Sequence, residues 1–289
     1  MKSMKKVLIT GGNGYLGGEL IQSFYNQGYS ISILSSTFSR KITDNRINEV
    51  FEFSLGDDVN ENVFFDIDIF IHCAYDFNLI DSIEIFNKNV LGSKKLFIAA
   101  KKKGVRQNIF ISSVSAFEEC VSKYGKTKLQ IESFALDSDF KVLRPGVLFG
   151  GSNQGLIGKL RSIAQRSPII PLVGRGNQTL YTLHVDDLAL FIFKMIKNEI
   201  IINEPTVVAS PLPYSFKQIL INSSSDSSVK RKVLFIMIPS ILILYGLKIS
   251  EFFKINSGFR SDSLISLVNT PKNIDFEVVK MSNINFKKL

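Results

Sequence analysis

The sequence predicts an α/β protein: a doubly wound parallel sheet covered by helices on both faces, with a smaller C-terminal lobe. Three observations lead there. Short apolar runs alternate with amphipathic helical patterns over residues 1–150, the mark of repeated strand–helix crossovers. The first of those runs opens directly into a glycine turn and a helix. The chain has 289 residues, 45% of them hydrophobic and 21% charged, enough to bury one large domain or a main domain plus a lobe.

The N-terminal stretch carries the clearest signal. In "KKVLITGGNGYLGGELIQSFYNQGYSISIL", Val7 to Thr10 is a short apolar run suited to a buried parallel strand. Gly11, Gly14 and Gly17 follow at G-x-x-G-x-x-G spacing. Gly14 and Gly17 leave room for close backbone approach and tight helix–strand packing. Leu20, Ile21 and Phe24 form the buried face of a helix that ends near Gly28. The free amides at the start of that helix suit a pyrophosphate, and a glycine pattern between strand and helix points to a dinucleotide. The second strand, "YSISIL", ends at Ser35-Ser36-Thr37 with Arg40 and Lys41 beyond, and no acidic residue stands at its tip. That removes repulsion against a ribose 2′-phosphate, which hydroxyls beside the Arg40 guanidinium can bind. NADP(H) is therefore favoured, with NAD(H) the alternative.

Further units follow. "EVFEFSLGDD" reads as a third strand ending at Asp57, and "DIDIFIHCAYD" as a fourth ending at Cys73-Ala74-Tyr75. "QNIFISSVS" reads as a fifth, reached through the helix "NKNVLGSKKLFIAAKKKG". Ligands of such a sheet lie beyond the carboxyl ends of its strands, where the turn Ser112 to Ser115 falls. Just after it, Tyr124 and Lys128 stand four residues apart, on one helix face and one turn from each other.

Composition narrows the partners. The net charge of +9 comes from scattered lysines ("MKSMKK", "KKKGVR", "VKRK") with no interleaved aromatics, so no nucleic-acid partner is expected. Cys73 and Cys120 give no disulfide framework, and His72 and His184 leave little material for a zinc site. No metal is expected, and the compartment reads as reducing. The apolar run "VLIT" is too short for a signal-peptide core, so a cytoplasmic location is expected. Near the C-terminus, "KRKVLFIMIPSILILYGLKISEFF" has an apolar core from Val233 to Leu247 interrupted by Pro239, too short to span a membrane. It reads as a buried or lobe-covering helix. The alternative is peripheral membrane contact through 230–248, with Lys230, Arg231, Lys232 and Lys248 flanking the apolar face. "GFRSDSLISLVN" (258–269) is a candidate to close over a substrate.

Five motifs in register resemble those of the extended short-chain dehydrogenase/reductases, the group of nucleotide-sugar epimerases, dehydratases and ketoreductases. Thr10-Gly11-Gly12-Asn13-Gly14-Tyr15-Leu16-Gly17 looks like their TGxxGxxG, Asn89-Val90-Leu91-Gly92 their Asn-x-x-Gly, and Tyr124 to Lys128 their YxxxK. "LRPGVLFG" (143–150) resembles the strand-six motif and "HVDDLA" (184–189) a later helix start. The resemblance runs from residue 5 to about 200. It implies a Rossmann-like dinucleotide domain from 1–150 and 176–200, and a smaller substrate-binding lobe from 151–175 and 201–289.

The resemblance also assigns roles. Ser113, Tyr124, Lys128 and Asn89 match the family's catalytic positions, Ser113 being taken over Ser112 and Ser115 from the position of Phe117. A free tyrosine has a pKa near ~10, so about one in a thousand is ionised at neutral pH. Lys128 can stabilise a developing phenolate and would also hold the nicotinamide ribose. Tyr124 can then pass a proton to or from a reacting oxygen while Ser113 hydrogen-bonds to it. The cofactor would lie along Gly11, Asn13, Gly14, Tyr15, Leu16 and Gly17, and past Ser35, Ser36, Asp57, Cys73, Ala74 and Tyr75. It would end near Pro145 and Val147. Ser115, Phe149, Arg175 and Gln178 are substrate candidates, and members of the family commonly dimerise through the YxxxK helix and its neighbour.

Two departures bear on the substrate. The Ser113-to-Tyr124 interval is eleven residues, shorter than sugar epimerases usually carry. Leu180 and Tyr181 stand where many members place an arginine that grips a diphosphate; Arg175 or Gln178 would have to substitute. This shortened pattern is also similar to the NADPH-binding accessory subunit of respiratory complex I. Three readings result: an NADPH-dependent ketoreductase of a nucleotide-activated deoxysugar for surface polysaccharide, an epimerase with bound NAD, and a non-catalytic dinucleotide-binding subunit.

Overall fold

The computed structural model describes residues 4–36, 44–152, 155–167, 169–225, 234–253, 255 and 259–289. Its centre is a seven-stranded, all-parallel sheet. In chain order the strands are β1 (Lys6–Thr10), β2 (Ser30–Ser35), β3 (Glu49–Glu52), β4 (Ile69–His72), β5 (Gln107–Ile111) and β6 (Lys141–Pro145). The seventh, β10 (Thr206–Val208), comes after β7 (Val147–Phe149), β8 (Ile169–Val173) and β9 (Thr179–His184), which lie outside this sheet. The spatial order is β3-β2-β1-β4-β5-β6-β10, so the direction of winding reverses between β1 and β4. That switch point opens a crevice at the carboxyl ends of both strands.

Alternation along each strand explains the two covered faces. Val7, Ile9, Ile31, Ile33, Ile69, Ile71, Ile109 and Ile111 point into one core with helices α1 (Tyr15–Asn26) and α6 (Val185–Ile196). Leu8, Phe70 and Phe110 point into the other with α3 (Gly92–Lys102) and α4 (Lys123–Asp137). Successive residues point to opposite faces, and both faces are apolar, as a sandwiched parallel sheet requires. The buried helix face Leu20, Ile21 and Phe24 is as the periodicity predicts, and Gly28 follows the helix end with φ +75°.

Two strand ends differ from the sequence reading. β3 stops at Glu52 and not at Asp57. Asp57 Oδ2 accepts the Ser54 amide at 2.8 Å and Gly56 takes φ +103°, so these residues form a turn. β4 stops at His72, because the Cys73 and Ala74 amides donate to Thr10 Oγ1 at 3.1 and 3.2 Å and leave the ladder.

The helix before β5 is broken into α2 (Ser82–Ile85), a π-helical segment (Phe86–Leu91) and α3. A third core gathers Phe149, Ile157, Leu160, Ile170, Leu172, Val173, Leu180, Phe216, Ile219, Leu220 and Leu264. Around it lie α5 (Leu156–Arg166), α7 (Phe216–Ser225) and two small sheets. β7 and β9 pair in parallel with β11 (Pro213–Ser215) antiparallel to β9, and β8 pairs in parallel with β12 (Leu234–Ile238). Within 201–289, β10 returns to the large sheet, and Val279 of α10 (Glu277–Met281) packs into its first core.

The expected single helix over 233–247 is corrected. Its first part is strand β12, and α8 (Ser240–Phe252) begins only after Pro239, which stands at the helix N-cap. Proline lacks the amide a continuous helix would need there. α8 is not buried either: Ile243, Leu244 and Leu247 rest on the third core, while Ile241, Leu242, Tyr245, Ile249 and Phe252 are exposed. α9 (Ser261–Val268) follows it. Lys230, Arg231, Lys232 and Val233 lie outside the described residues. Among the described residues, no helix is long and apolar enough to cross a membrane.

Candidate active site

The site begins at the glycine turn. Gly11 has φ +72°, and a Cβ on it would sit 3.0 Å from the Ala74 backbone, so the turn presses directly on the end of β4. A Cβ at Gly17 would lie 2.2 Å from the Gly11 carbonyl oxygen. Only glycine fits at either place. Gly14, at the N-cap of α1, makes no side-chain cap, and the first turn of that helix carries no acidic residue. Its amide end therefore fits the pyrophosphate of a dinucleotide. Leu16 packs on the first core, and the Tyr15 hydroxyl donates to the Gly150 carbonyl at 2.8 Å. Asn13 Nδ2 donates to Ser35 Oγ at 2.6 Å, tying the turn to the tip of β2, where Ser36 is exposed. Arg40 lies outside the described residues.

A buried polar chain links this turn to the neighbouring helix, and the sequence reading missed it. The Thr10 hydroxyl, holding the Cys73 and Ala74 amides, lies 2.8 Å from His72 Nδ1. His72 Nε2 lies 2.8 Å from Ser93 Oγ, which donates to the Asn89 carbonyl at 2.6 Å. Since the Ser93 proton goes to Asn89, His72 must donate through Nε2 and accept from Thr10 through Nδ1. Burial pushes His72 down to about 3, keeping it neutral. The signal available in sequence was a histidine ending an otherwise apolar strand.

Asn89 is fully buried in the π-helical segment. Its side chain accepts the Asp76 amide at 2.7 Å and donates to the Asp76 carbonyl at 3.3 Å. It thus fixes the loop after β4 that carries Tyr75 and Phe77.

The turn after β5 and the start of α4 meet closely. A Cβ at Gly125 would lie 2.3 Å from the Ser115 carbonyl oxygen, so the glycine in "YGKTK" is what lets the helix approach the serine turn. The three candidate serines separate clearly. Ser112 is buried and donates to Glu132, which also pairs with Arg144. Ser115 is half-buried and gives its amide to Ser113 Oγ at 3.1 Å. Ser113 is the one whose hydroxyl lies near enough to Tyr124 to favour its phenolate.

Burial raises the Tyr124 phenol above its ordinary value, against the lowering pull of Ser113. Lys128 is 2% exposed and donates to the Ile111 carbonyl at 2.9 Å. Its Nζ stands 4.8 Å from the Phe110 ring centre, 5.3 Å from Tyr75 and 5.9 Å from Tyr124. Burial lowers it to about 8, opposed by Cys73 and Glu132, so it still carries its charge at neutral pH. The Tyr75 ring meets Tyr124 edge-on at 5.1 Å. Burial pushes the neighbouring Cys73 thiol up to about 12, which keeps it protonated.

The remaining predicted residues are more dispersed. Pro145 is buried at the end of β6, its carbonyl accepting the Val114 amide at 3.0 Å, and Val147 pairs with Thr182. Phe149 belongs to the third core and packs edge-on against His184 at 5.0 Å. Gln178 Nε2 is engaged by the Val173 carbonyl at 3.0 Å, and Arg175 is exposed on the turn before it. Asp57 is exposed on its own turn.

Comparison with known proteins identifies the family. Residues 7–209 match the sequence profile of the NAD dependent epimerase/dehydratase family. The "Bifunctional UDP-glucose 4-epimerase and UDP-xylose 4-epimerase 1" of Pisum sativum is 27% identical over 167 residues, 47% of this chain and 48% of that protein. The chain thus spans about half the length of the pea epimerases it matches. The "Ceramide reductase" of Caulobacter vibrioides is 25% identical over 276 residues, 92% of this chain and 80% of that protein. Among solved structures, gox2253 aligns with a TM-score of 0.72 at 18% identity over 96% of this chain and 92% of its own. MoeE5 in complex with UDP-glucuronic acid and NAD aligns with a TM-score of 0.65 at 19% identity, over 81% of this chain and 85% of its own. These two show the shared fold. With its glycine turn, Asn89 and the Ser113–Tyr124–Lys128 group at the switch-point end of that sheet, the chain belongs to the NAD dependent epimerase/dehydratase family.

Proposed function

We propose that the protein is an NAD(P)-dependent ketoreductase in which Tyr124 gives the proton, acting on a nucleotide-activated deoxysugar for surface polysaccharide. One observation carries the reading: Ser113 and Lys128 flank Tyr124, the Lys128 Nζ 5.9 Å from its ring, near the end of β4 on which the Gly11 turn presses. A raised phenol keeps its proton at neutral pH, the state a donor needs. When bound, the nicotinamide supplies the hydride. Ser113 hydrogen-bonds to the substrate oxygen where charge builds, and Tyr124 delivers its proton there. The Lys128 ammonium stabilises the phenolate left behind. Asn89 holds the loop that walls Tyr124.

NADPH is the preferred cofactor in this reading, on the absence of an acidic residue at Ser35-Ser36. Residues 1–150 and 176–200 bind it, and 151–175 with most of 201–289 form the substrate side. The protein works in the cytoplasm as a homodimer through α3 and α4. The exposed apolar face of α8 gives it peripheral contact with a membrane.

The test is NADPH oxidation by the purified protein against a panel of 4-keto-6-deoxy nucleotide sugars, repeated with Tyr124→Phe. Oxidation that the variant loses supports the reading. Tightly retained NAD with sugar interconversion and no net oxidation overturns it in favour of an epimerase. Binding without any turnover favours a non-catalytic dinucleotide-binding subunit.

A second reading, reduction of a ketone on a lipid, is favoured by one observation. The ceramide reductase matches 92% of the chain, including the region where Ile241, Leu242, Tyr245, Ile249 and Phe252 are exposed. Leu180 and Tyr181 in place of a diphosphate-gripping arginine suit such a substrate too. Adding long-chain 3-keto lipids in detergent to the same panel separates the two.

A further inference from the structure

The segment that opens α9 touches both walls around Tyr124. Asp262 Oδ1 accepts the Lys123 amide at 2.7 Å, and Oδ2 accepts the Tyr124 amide at 2.9 Å. These two donors have no partner inside α4, whose N-cap Ser122 takes only the Gly125 amide, at 3.1 Å. Two residues earlier, the Arg260 guanidinium donates to the Phe77 carbonyl and, at 3.0 Å, to the Leu79 carbonyl. Lys123 Nζ closes the triangle by donating to the Ile80 carbonyl at 3.1 Å. Between these bonds lie the Tyr75, Phe77 and Tyr124 rings, with centres 4.7 to 5.5 Å apart. Ser261, in the middle, is itself held by Glu251 of α8 through its amide and hydroxyl, both at 2.7 Å.

We propose that Asp262 is a positioning residue for Tyr124, and that Arg260 and Asp262 together clasp the proton-donor helix to the 77–80 loop. The proposal rests on the reading of Tyr124 as proton donor. Lys128 sits in the second turn of α4, where the helical ladder and the Ile111 carbonyl fix it. Tyr124 sits in the first turn, the part of a helix that frays. Its peptide plane is held at the carbonyl edge by Thr127 Oγ1, which donates to the Lys123 oxygen at 2.7 Å, and at the N–H edge by Asp262 alone. A carboxylate suits the task because it offers one oxygen to each of two successive amides, and its charge is favourable at a helix N-terminus. The clasp therefore sets the distance from the Tyr124 hydroxyl to Ser113 and to the Lys128 ammonium. It also makes the C-terminal region part of the catalytic apparatus, at a sequence separation of 138 residues.

The test needs no knowledge of the natural substrate. Hydrogen–deuterium exchange is followed in the intact protein with NADPH present, in wild type, Asp262→Ala, Asp262→Asn and Arg260→Ala. The Lys123 and Tyr124 amides are expected to exchange about tenfold faster or more in Asp262→Ala, with the rest of α4 unchanged. Asp262→Asn, which keeps one acceptor oxygen, restores part of that protection; it also serves should Asp262→Ala not fold. NADPH affinity by fluorescence stays within about twofold. With a ketone from the panel as probe, kcat falls about 10- to 100-fold in Asp262→Ala, because the donor is misplaced. KM for NADPH does not change, and Arg260→Ala added to it costs little more. Unchanged exchange at Lys123 and Tyr124 in a folded Asp262→Ala overturns the clasp, as do effects of the two substitutions that simply multiply. Turnover that survives Tyr124→Phe overturns the proton-donor reading instead, while the exchange data still judge the clasp.

Discussion

His72 ties the glycine turn to the Asn89 segment, and its neutrality makes the tie dependent on pH. Its ordinary pKa is 6.5, and complete burial takes it to about 3 in the folded protein. A folded-state value below the unfolded one means that the unfolded chain takes up the extra proton first. The stabilising contribution is therefore fully present above 6.5 and is lost as the pH falls toward about 3. Each pH unit within that window costs about 1.4 kcal/mol. Acidification from about pH 7.5 to about pH 5 should thus lower the unfolding free energy by about 2 kcal/mol through this one group. The assay is urea unfolding followed by far-UV circular dichroism at both pH values, in wild type and in His72→Gln. The glutamine amide can still accept from Thr10 and donate to Ser93 but does not titrate. The variant starts less stable, yet its loss on acidification should be about 2 kcal/mol smaller than that of wild type, other titrating groups being common to both. Equal losses would refute the argument, because His72 would then not be held neutral by the fold.

Three other outcomes are expected. Tyr124→Phe should cut turnover by about a hundredfold or more while NADPH affinity, measured by fluorescence titration, stays within about twofold. Gly17→Ala puts a methyl 2.2 Å from the Gly11 carbonyl oxygen; the turn must open, and the same titration should show at least about a tenfold loss of affinity. Phe252→Glu combined with Tyr245→Glu should abolish cosedimentation with vesicles containing anionic lipid, if the exposed face of α8 rests on a membrane. Wild-type protein that leaves such vesicles in the supernatant would end that proposal.

Much of the fold was legible because it is written in local pattern. Val7 to Thr10, Gly11, Gly14 and Gly17 specify strand, turn and helix within one stretch, and the periodicity of Leu20, Ile21 and Phe24 names the buried face. The serine turn, Tyr124 and Lys128 were legible as a motif, and Gly125 between them explains their closeness to Ser115. What could not be read depends on partners distant in sequence. Thr10 and His72 are 62 residues apart, and Asp262 is 138 residues from the amide it holds. A carboxylate in "RSDSL" looks like any surface acid until the backbone amides it accepts are in view. The stretch 233–247 misled because its apolar run fits a helix as well as a strand. Pro239 divides it, and the pairing of β12 with β8 decides the first half. Asp57 misled for a similar reason: the strand pattern ran on past Glu52, but the aspartate bonds to its own turn.

In the proposed function, the glycine turn and the Ser113–Tyr124–Lys128 group form one working dinucleotide site. The most direct measurement is fluorescence titration of the purified protein with NADPH and with NADH, after checking for cofactor carried through purification. An empty site that binds NADPH more tightly than NADH is expected, with the affinity lost in Gly17→Ala and kept in Tyr124→Phe. Failure to bind either nucleotide would contradict it.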